Sequence, residues 1–318
     1  MKEIIAEAIA KIDWNKTPYE LYEPIAYTLS LGGKRLRPQL VLMGCGLFSE
    51  EVEQALPAAL GIEVFHNFTL LHDDLMDKAD IRRGNPTVYK KWGDNRAILS
   101  GDAMVIEAYR FISDVPENCL KHVLDLFSKM ALEICEGQQF DMDFETRDDV
   151  QIDEYINMIR LKTAVLLGTS LKIGALIGGA DKKKADILYE FGIDLGIAFQ
   201  LQDDLLDVYG DEKTFGKAIG GDILNNKKTF MLLSALNAPW LDVVAQLREW
   251  INKKEYNNKE KIVAVTSLYD QLGIRQVCEN KINEYSQRAL SKLDKIDGNP
   301  EIKNQLKTLV EKLQTRAV

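Results

Sequence analysis

The chain carries the stretch Leu71-His72-Asp73-Asp74-Leu75-Met76-Asp77, and 130 residues after Asp73 the pattern returns in Phe199-Gln200-Leu201-Gln202-Asp203-Asp204-Leu205-Leu206-Asp207. On a helix Asp73 and Asp77 stand at i and i+4, so their carboxylates share one face, with Asp74 adjacent. Asp203 and Asp207 are related in the same way. Three carboxylates in one turn repel one another, and a lone set of this kind is an ordinary exposed acidic patch. Here the first set is flanked by Phe68, Leu70, Leu71, Leu75 and Met76, which implies partial burial. Buried carboxylates need cations, and a donor set made only of oxygen suits Mg²⁺. Two such clusters facing one another could hold several Mg²⁺ ions, with a diphosphate completing the shells.

Basic residues accompany the acidic ones. Gly33-Lys34-Arg35-Leu36-Arg37 follows the turn at Gly32 and Gly33, and Lys34 and Arg37 share a face if a helix begins there. Arg82-Arg83 follows the first cluster, while Lys217 and Lys227-Lys228 follow the second. Each set alone is an ordinary solvated surface. Their repeated position beside an acidic cluster, in a chain of net charge −9, points to phosphate. Arg can fork onto phosphate oxygens, and Lys supplies a point charge. His66 lies on a face similar to that of Asp73, with a packed role and a ligand role both open. His72 points about 100° away from Asp73.

Long helices are the elements that would position these groups. With 46% hydrophobic residues and 8 Pro in 318 residues, the chain can bury a large core and few element interiors are forced to break. The periodicity predicts one or two helices over 1–30, a long one over 51–80 ending near Gly84-Asn85-Pro86, and others over 95–113, 117–141, 150–179, 184–209 and 227–236. More polar helices are expected over 241–256, 259–269 and 276–316. No linker-like or strand-like stretch interrupts them, so the expectation is one helical domain spanning 1–318. There is no Lys/Arg run to bind nucleic acid. Cys45, Cys119, Cys135 and Cys278 lack CxxC spacing, and free thiols in a reducing cytoplasm are expected. The first residues have no signal-peptide core. The apolar stretch Ala164 to Ala180 is broken by Lys172 and reads as a buried helix of a soluble protein.

With these residues assembled, the chain resembles the trans-isoprenyl diphosphate synthases, the polyprenyl synthetase family of farnesyl and geranylgeranyl diphosphate synthases. The motifs GGKRLRP, LLHDDLMD…RRG, GQQFD, LKTA and FQLQDDLLD…GK…GGD…NNKK stand in family order between about Gly32 and Lys228. The resemblance implies an all-α single-domain bundle of long helices around a central cavity, the isoprenoid synthase fold, and a homodimeric enzyme, as family members commonly are. It implies an isopentenyl diphosphate site at Lys34, Arg37, His66 and Arg83. Mg²⁺, three ions per active site with diphosphate bound, would be held by Asp73, Asp74, Asp77 and Asp203, with Asp204 and Asp207 completing the second cluster. Arg82, Lys162, Thr163, Gln200, Lys217 and Lys227 would contact the allylic diphosphate; Lys227 aligns after one extra residue is allowed. Lys162, Lys217 and Asp203 would be the catalytic residues. Gln138 and Asp141 belong to a family motif with a supporting role, and no basic C-terminal tail is evident.

The family reaction breaks an allylic C–O bond, and fixed positive charge on the leaving diphosphate would stabilise that step. The product tail is expected to run back along the helix from the first cluster, past Phe68 and Phe65, roughly 7.5 and 12 Å down the axis. Phe68 with Thr69 beside it resembles the archaeal-type geranylgeranyl enzymes, so a C20 product is expected, with C15 as the alternative. Both rings could also be plain core residues. A type I terpene cyclase would carry an Asn/Ser/Glu-type second metal motif, and a non-catalytic partner subunit would be expected to lose aspartates or basic residues. Neither departure is present.

Overall fold

The computed structural model describes residues 1–210 and 219–314. Most of them are helical, and the fold is all-α. The helices are α1 (Lys2–Ala10), α2 (Tyr19–Ser30), α3 (Leu36–Gly46), α4 (Leu56–Met76), α5 (Val88–Trp92), α6 (Asp94–Ser113), α7 (Glu117–Thr146), α8 (Ile152–Ile159), α9 (Val165–Ile177) and α10 (Lys182–Tyr209). They continue as α11 (Gly221–Leu224), α12 (Phe230–Leu236), α13 (Leu241–Asn252), α14 (Asn258–Gln271), α15 (Ile274–Leu293) and α16 (Pro300–Gln314). A short antiparallel ribbon, β1 (Ile81–Arg82) and β2 (Asn85–Pro86), follows α4.

Three of the differences from the expected boundaries have a local reason. The helix expected from 51 begins at Leu56 after a 3-10 turn over Val52–Ala55, with Pro57 in its first turn, where no intrahelical N–H is lost. The single helix expected over 276–316 is two. Asn299 starts the second by accepting from the Glu301 and Ile302 backbone N–H groups at 3.0 and 3.2 Å. Between α8 and α9 the chain makes a π-helical turn over Arg160–Ala164.

The chain divides into two compact units. One comprises residues 1–129, 169–189 and 298–303, the other 130–168, 190–297 and 304–318. In the first, α3 meets the later part of α9 at backbone contact. A Cβ added at Gly174 would lie 1.9 Å from the Val41 carbonyl, and one at Gly44 would lie 2.3 Å from that of Leu171. Only hydrogen atoms fit between these helices. The stretch Ala164 to Ala180 is largely buried, as its composition implies, and among the described residues no helix is long and apolar enough to cross a membrane. In the second unit, Gly192 and Gly196 bring α10 equally close to Gly168 and Ala164, at 2.6 and 2.5 Å from an added Cβ. That approach aligns the α10 residues leading to Asp203 with the LKTA turn.

Candidate active site

In the first unit the basic residues converge. Gly32, Gly33 and Arg35 take positive φ values of 73, 133 and 49°, a turn that glycine makes without steric cost. Helix α3 begins only at Leu36, so Lys34 lies in the turn before it, two residues earlier than a shared helical face with Arg37 requires. Arg35 points inward, pairing with Glu63 and donating to the Leu29 carbonyl. Asn67 Nδ2 donates to the same Glu63 carboxylate at 2.7 Å. Arg37 Nη1 lies 3.1 Å from His66 Nε2. Burial, and then the charges of Arg37, Arg83, Arg82 and Arg35, hold the His66 pKa well below its ordinary value. The imidazole is therefore neutral. Because a guanidinium can only donate, Nε2 accepts and the ring proton sits on Nδ1.

The ribbon carries the remaining two arginines. Arg83 Nη1 donates to the Gly32 carbonyl, and a Cβ at Gly33 would lie 3.0 Å from the Arg83 guanidinium carbon. The second glycine of the turn thus leaves room for Arg83. Arg82 Nε donates to both oxygens of Asp74 at 2.8 Å, with Nη2 2.7 Å from one of them. Four guanidinium groups thus gather about His66, while Glu63 and Asp74 are buried. In an acidic chain this is a local excess of positive charge suited to an anion.

At the end of α4 the aspartates are not equivalent. Asp77 N–H donates to the Asp73 carbonyl at 2.8 Å, so the helical turn that puts them on one face continues through the C-cap. Asp73 is half-buried and Asp77 exposed, whereas Asp74 is 4% exposed and engaged by Arg82. Met76, expected to help bury the cluster, is 51% exposed. One and two turns earlier, Phe68 is half-buried and stacks edge-on to His72 at 4.8 Å, while Phe65 packs on Phe127 at 5.2 Å in the core. Thr69 donates to the His66 carbonyl at 2.8 Å.

The second unit gathers the other set. Gly137, the first residue of GQQFD, brings α7 against the LKTA backbone, where an added Cβ would lie 2.3 Å from the Lys162 nitrogen. One turn further along α7, Asp141 takes Lys162 Nζ at 2.6 Å and lies 3.6 Å from Lys227 Nζ. Burial works to raise the Asp141 pKa, but Lys227 and Lys162 outweigh it and hold the carboxyl below its ordinary value. The π-turn presents Lys162 and Thr163, and Thr163 Oγ1 donates to Gln200 Oε1 at 3.2 Å. π-turns recur at functional sites because they reset side-chain direction within a helix.

Asp203 is half-buried beside Asp204, which is 5% exposed. Asp204 accepts from Gln200 Nε2 at 3.1 Å and from the Tyr155 hydroxyl. Burial, and then the charge of Asp222, push its carboxyl up to about 8. Asp207 accepts from the Asp222 N–H at 2.9 Å through its side chain and from the Gly220 N–H at 2.6 Å through its carbonyl. It thereby ties α10 to the GGD turn. Lys217 lies outside the described residues.

The donor chemistry fits magnesium, since both clusters offer only carboxylate oxygen. Among the described residues no three acidic, histidine or cysteine side chains form a ready cage. Mg²⁺ usually takes one or two carboxylates together with substrate phosphates. Glu63, Tyr155 and Asp222 escaped the sequence reading as site residues. Asp222 had a visible signal in Gly220-Gly221-Asp222 ahead of the lysines, whereas Glu63 and Tyr155 are isolated polar positions in apolar helices with no pattern to mark them.

A profile of the polyprenyl synthetase family matches residues 18–269. A geranylgeranyl diphosphate synthase from Methanosarcina mazei is 40% identical over 288 residues, 89% of this chain and 86% of that protein. A geranylfarnesyl diphosphate synthase from Natronomonas pharaonis is 38% identical over 74% of each chain. A crystal structure of a geranylgeranyl pyrophosphate synthase superposes with a TM-score of 0.94 at 45% identity, covering 100% of this chain and 98% of that one. The chain belongs to the polyprenyl synthetase family. Its class is that of the all-α prenyltransferases with the isoprenoid synthase fold.

Proposed function

We propose that the chain condenses isopentenyl diphosphate with a C5–C15 allylic diphosphate and that its main product is geranylgeranyl diphosphate. The observation that carries this reading is the gathering of Arg35, Arg37, Arg82 and Arg83 about a neutral His66 in a chain of net charge −9. Lys34, Arg37, His66 and Arg83 bind isopentenyl diphosphate. Arg82, Lys162, Thr163, Gln200, Lys217 and Lys227 take the allylic diphosphate, and the whole chain acts as one catalytic domain. The family match supports the last point, since it runs through residues of both units.

Magnesium would be held chiefly by Asp73, Asp77 and Asp203, whose side chains are half-buried or exposed. When bound it supplies positive charge to the leaving diphosphate. Asp74 and Asp204 orient Arg82 and Gln200 beside them, and Asp207 holds the GGD turn. Lys162 and Lys227 move from Asp141 to the diphosphate oxygens as negative charge develops there. Phe68 stops the growing tail, which the C20 products named for the relatives favour, with C15 as the alternative. Leu99 and Ile106, two turns apart on α6 and 59 and 64% exposed, support a homodimer. Four free thiols, three of them buried, support a cytoplasmic setting.

Incubating the purified chain with isopentenyl diphosphate, Mg²⁺ and C5, C10 or C15 primers separately, with mass spectrometry of the products, tests the reading. A C20 product from every primer is expected, and longer ones from Phe68→Ala. No condensation product from any primer would end the proposal; accumulation at C15 would shift it to a farnesyl diphosphate synthase.

A further inference from the structure

Lys261 on α14 is fully buried, with 0% exposure. It lies beyond Lys228, in the part of the chain that carries no motif. Its Nζ donates to the Leu224 carbonyl at 3.2 Å and to Asn226 Oδ1 at 2.8 Å, and it lies 4.3 Å from the centre of the Tyr256 ring. Among the described residues no carboxylate pairs with it. Burying a lysine among neutral acceptors is costly. Placing it at the start of a helix, whose N-terminus is the positive end of the dipole, adds to the cost.

The groups it holds explain its presence. Leu224 is the last residue of α11, and its carbonyl accepts from both Lys261 and the Tyr256 hydroxyl, the latter at 3.2 Å. Asn226 has φ of 49° and donates through Nδ2 to the Ile251 carbonyl at 3.1 Å. Lys227 N–H then returns to the Asp222 carbonyl at 2.9 Å. These bonds fix the segment 220–228, and its exposed end is Lys227, whose Nζ lies 3.6 Å from Asp141. At its start an added Cβ at Gly220 would lie 2.7 Å from Ile262, the residue after Lys261.

We propose that Lys261 is a positioning residue for the allylic diphosphate site, acting through Leu224 and Asn226 to aim Lys227. This rests on the functional reading above, in which Lys227 binds the allylic diphosphate. Lys261 touches no substrate in it.

The test compares Lys261→Met, which keeps the stem and removes the donor, with Lys227→Ala and the double variant. The full chain is assayed for KM of a C10 allylic diphosphate and of isopentenyl diphosphate, and binding of inorganic pyrophosphate with Mg²⁺ is measured by calorimetry. Losing one charge-assisted contact at Lys227 should raise the allylic KM about tenfold, weaken pyrophosphate binding to a similar degree and leave the isopentenyl KM within about twofold. The double variant should be no worse than Lys227→Ala, because the two act through one contact. Additive losses, equal effects on both KM values, or a lowered Tm with unchanged constants would each overturn the proposal. If Lys261→Met fails to fold, Asn226→Gly removes one acceptor at a φ glycine tolerates and should give the same selective loss; its absence counts equally against the idea. A wild-type chain that binds Mg²⁺-pyrophosphate yet makes no prenyl product would instead sink the reaction assigned to the site, and the calorimetry would still judge Lys261.

Discussion

A histidine ringed by guanidinium groups resists protonation, and at His66 that has a measurable consequence. Burial and the facing Arg37, Arg83, Arg82 and Arg35 depress its folded-state pKa well below 6.5. The unfolded chain therefore takes up a proton there on acidification while the folded chain does not. Stability from this group is complete above the unfolded pKa and is lost as pH falls below it, by up to about 1.4 kcal/mol per pH unit. In His66→Gln, whose amide oxygen can accept from Arg37, that loss should vanish. The drop in Tm between about pH 7.5 and about pH 5.5 should be smaller by a few degrees than in the wild type. An equal drop in both would mean His66 gains its proton without unfolding. The spacing of His66 to Asp73 was readable, but its protonation was not. Two of the four arginines arrive on the ribbon, and a third, Arg35, is oriented by a left-handed backbone that nothing in GGKRLRP announces.

At the scale of elements, helix existence was legible and helix contact was not. The hydrophobic period located the helices because each buries a face, yet the π-turn at Arg160–Ala164 leaves no mark in that period. It becomes intelligible only against Gly137, where α7 touches the turn backbone to backbone. Gly137→Ala would place a methyl 2.3 Å from the Lys162 nitrogen. A backbone atom cannot rotate away, so α7 or the turn must shift. The expected cost is about 2 kcal/mol or more, with Asp141 and Lys162 drawn apart. Gly101→Ala offers the contrast. Its methyl would meet the tip of the His72 ring, at 2.1 Å from Nε2, and a side chain can turn aside. Urea unfolding of the two variants should show the larger loss for Gly137, with raised allylic KM in that variant alone. Equal losses would mean that the close approach of α7 carries no special weight. The division of 276–316 shows the converse limit. The periodic residues of α15 and α16 continue across the break, and the stop-and-start signal Asp297-Gly298-Asn299-Pro300, with its cap at Asn299, is what the period passes over.

For the molecule as a whole, charge is the constraint. A chain of net charge −9 can bind diphosphates only by concentrating cations locally, and the order of the motifs sets basic residues next to acidic ones along the chain. It could not tell which aspartates were spoken for. Asp74 faces Arg82, and Asp204 faces Tyr155 and Gln200, in contacts made only after folding. Under the proposed function Asp73 and Asp203 take Mg²⁺ together with a phosphate ligand, so the two ligands should stabilise the protein jointly. Mg²⁺ alone and pyrophosphate alone should each raise Tm slightly. Together, at about a hundred times their joint dissociation constant, they should add about 2.7 kcal/mol, several degrees in a chain of this length. Asp73→Ala and Asp203→Ala should each remove most of the joint increment. Thermal unfolding monitored by circular dichroism reads all of these values. A joint increment equal to the sum of the separate ones, or one that survives either substitution, would show that magnesium and diphosphate do not meet on these carboxylates.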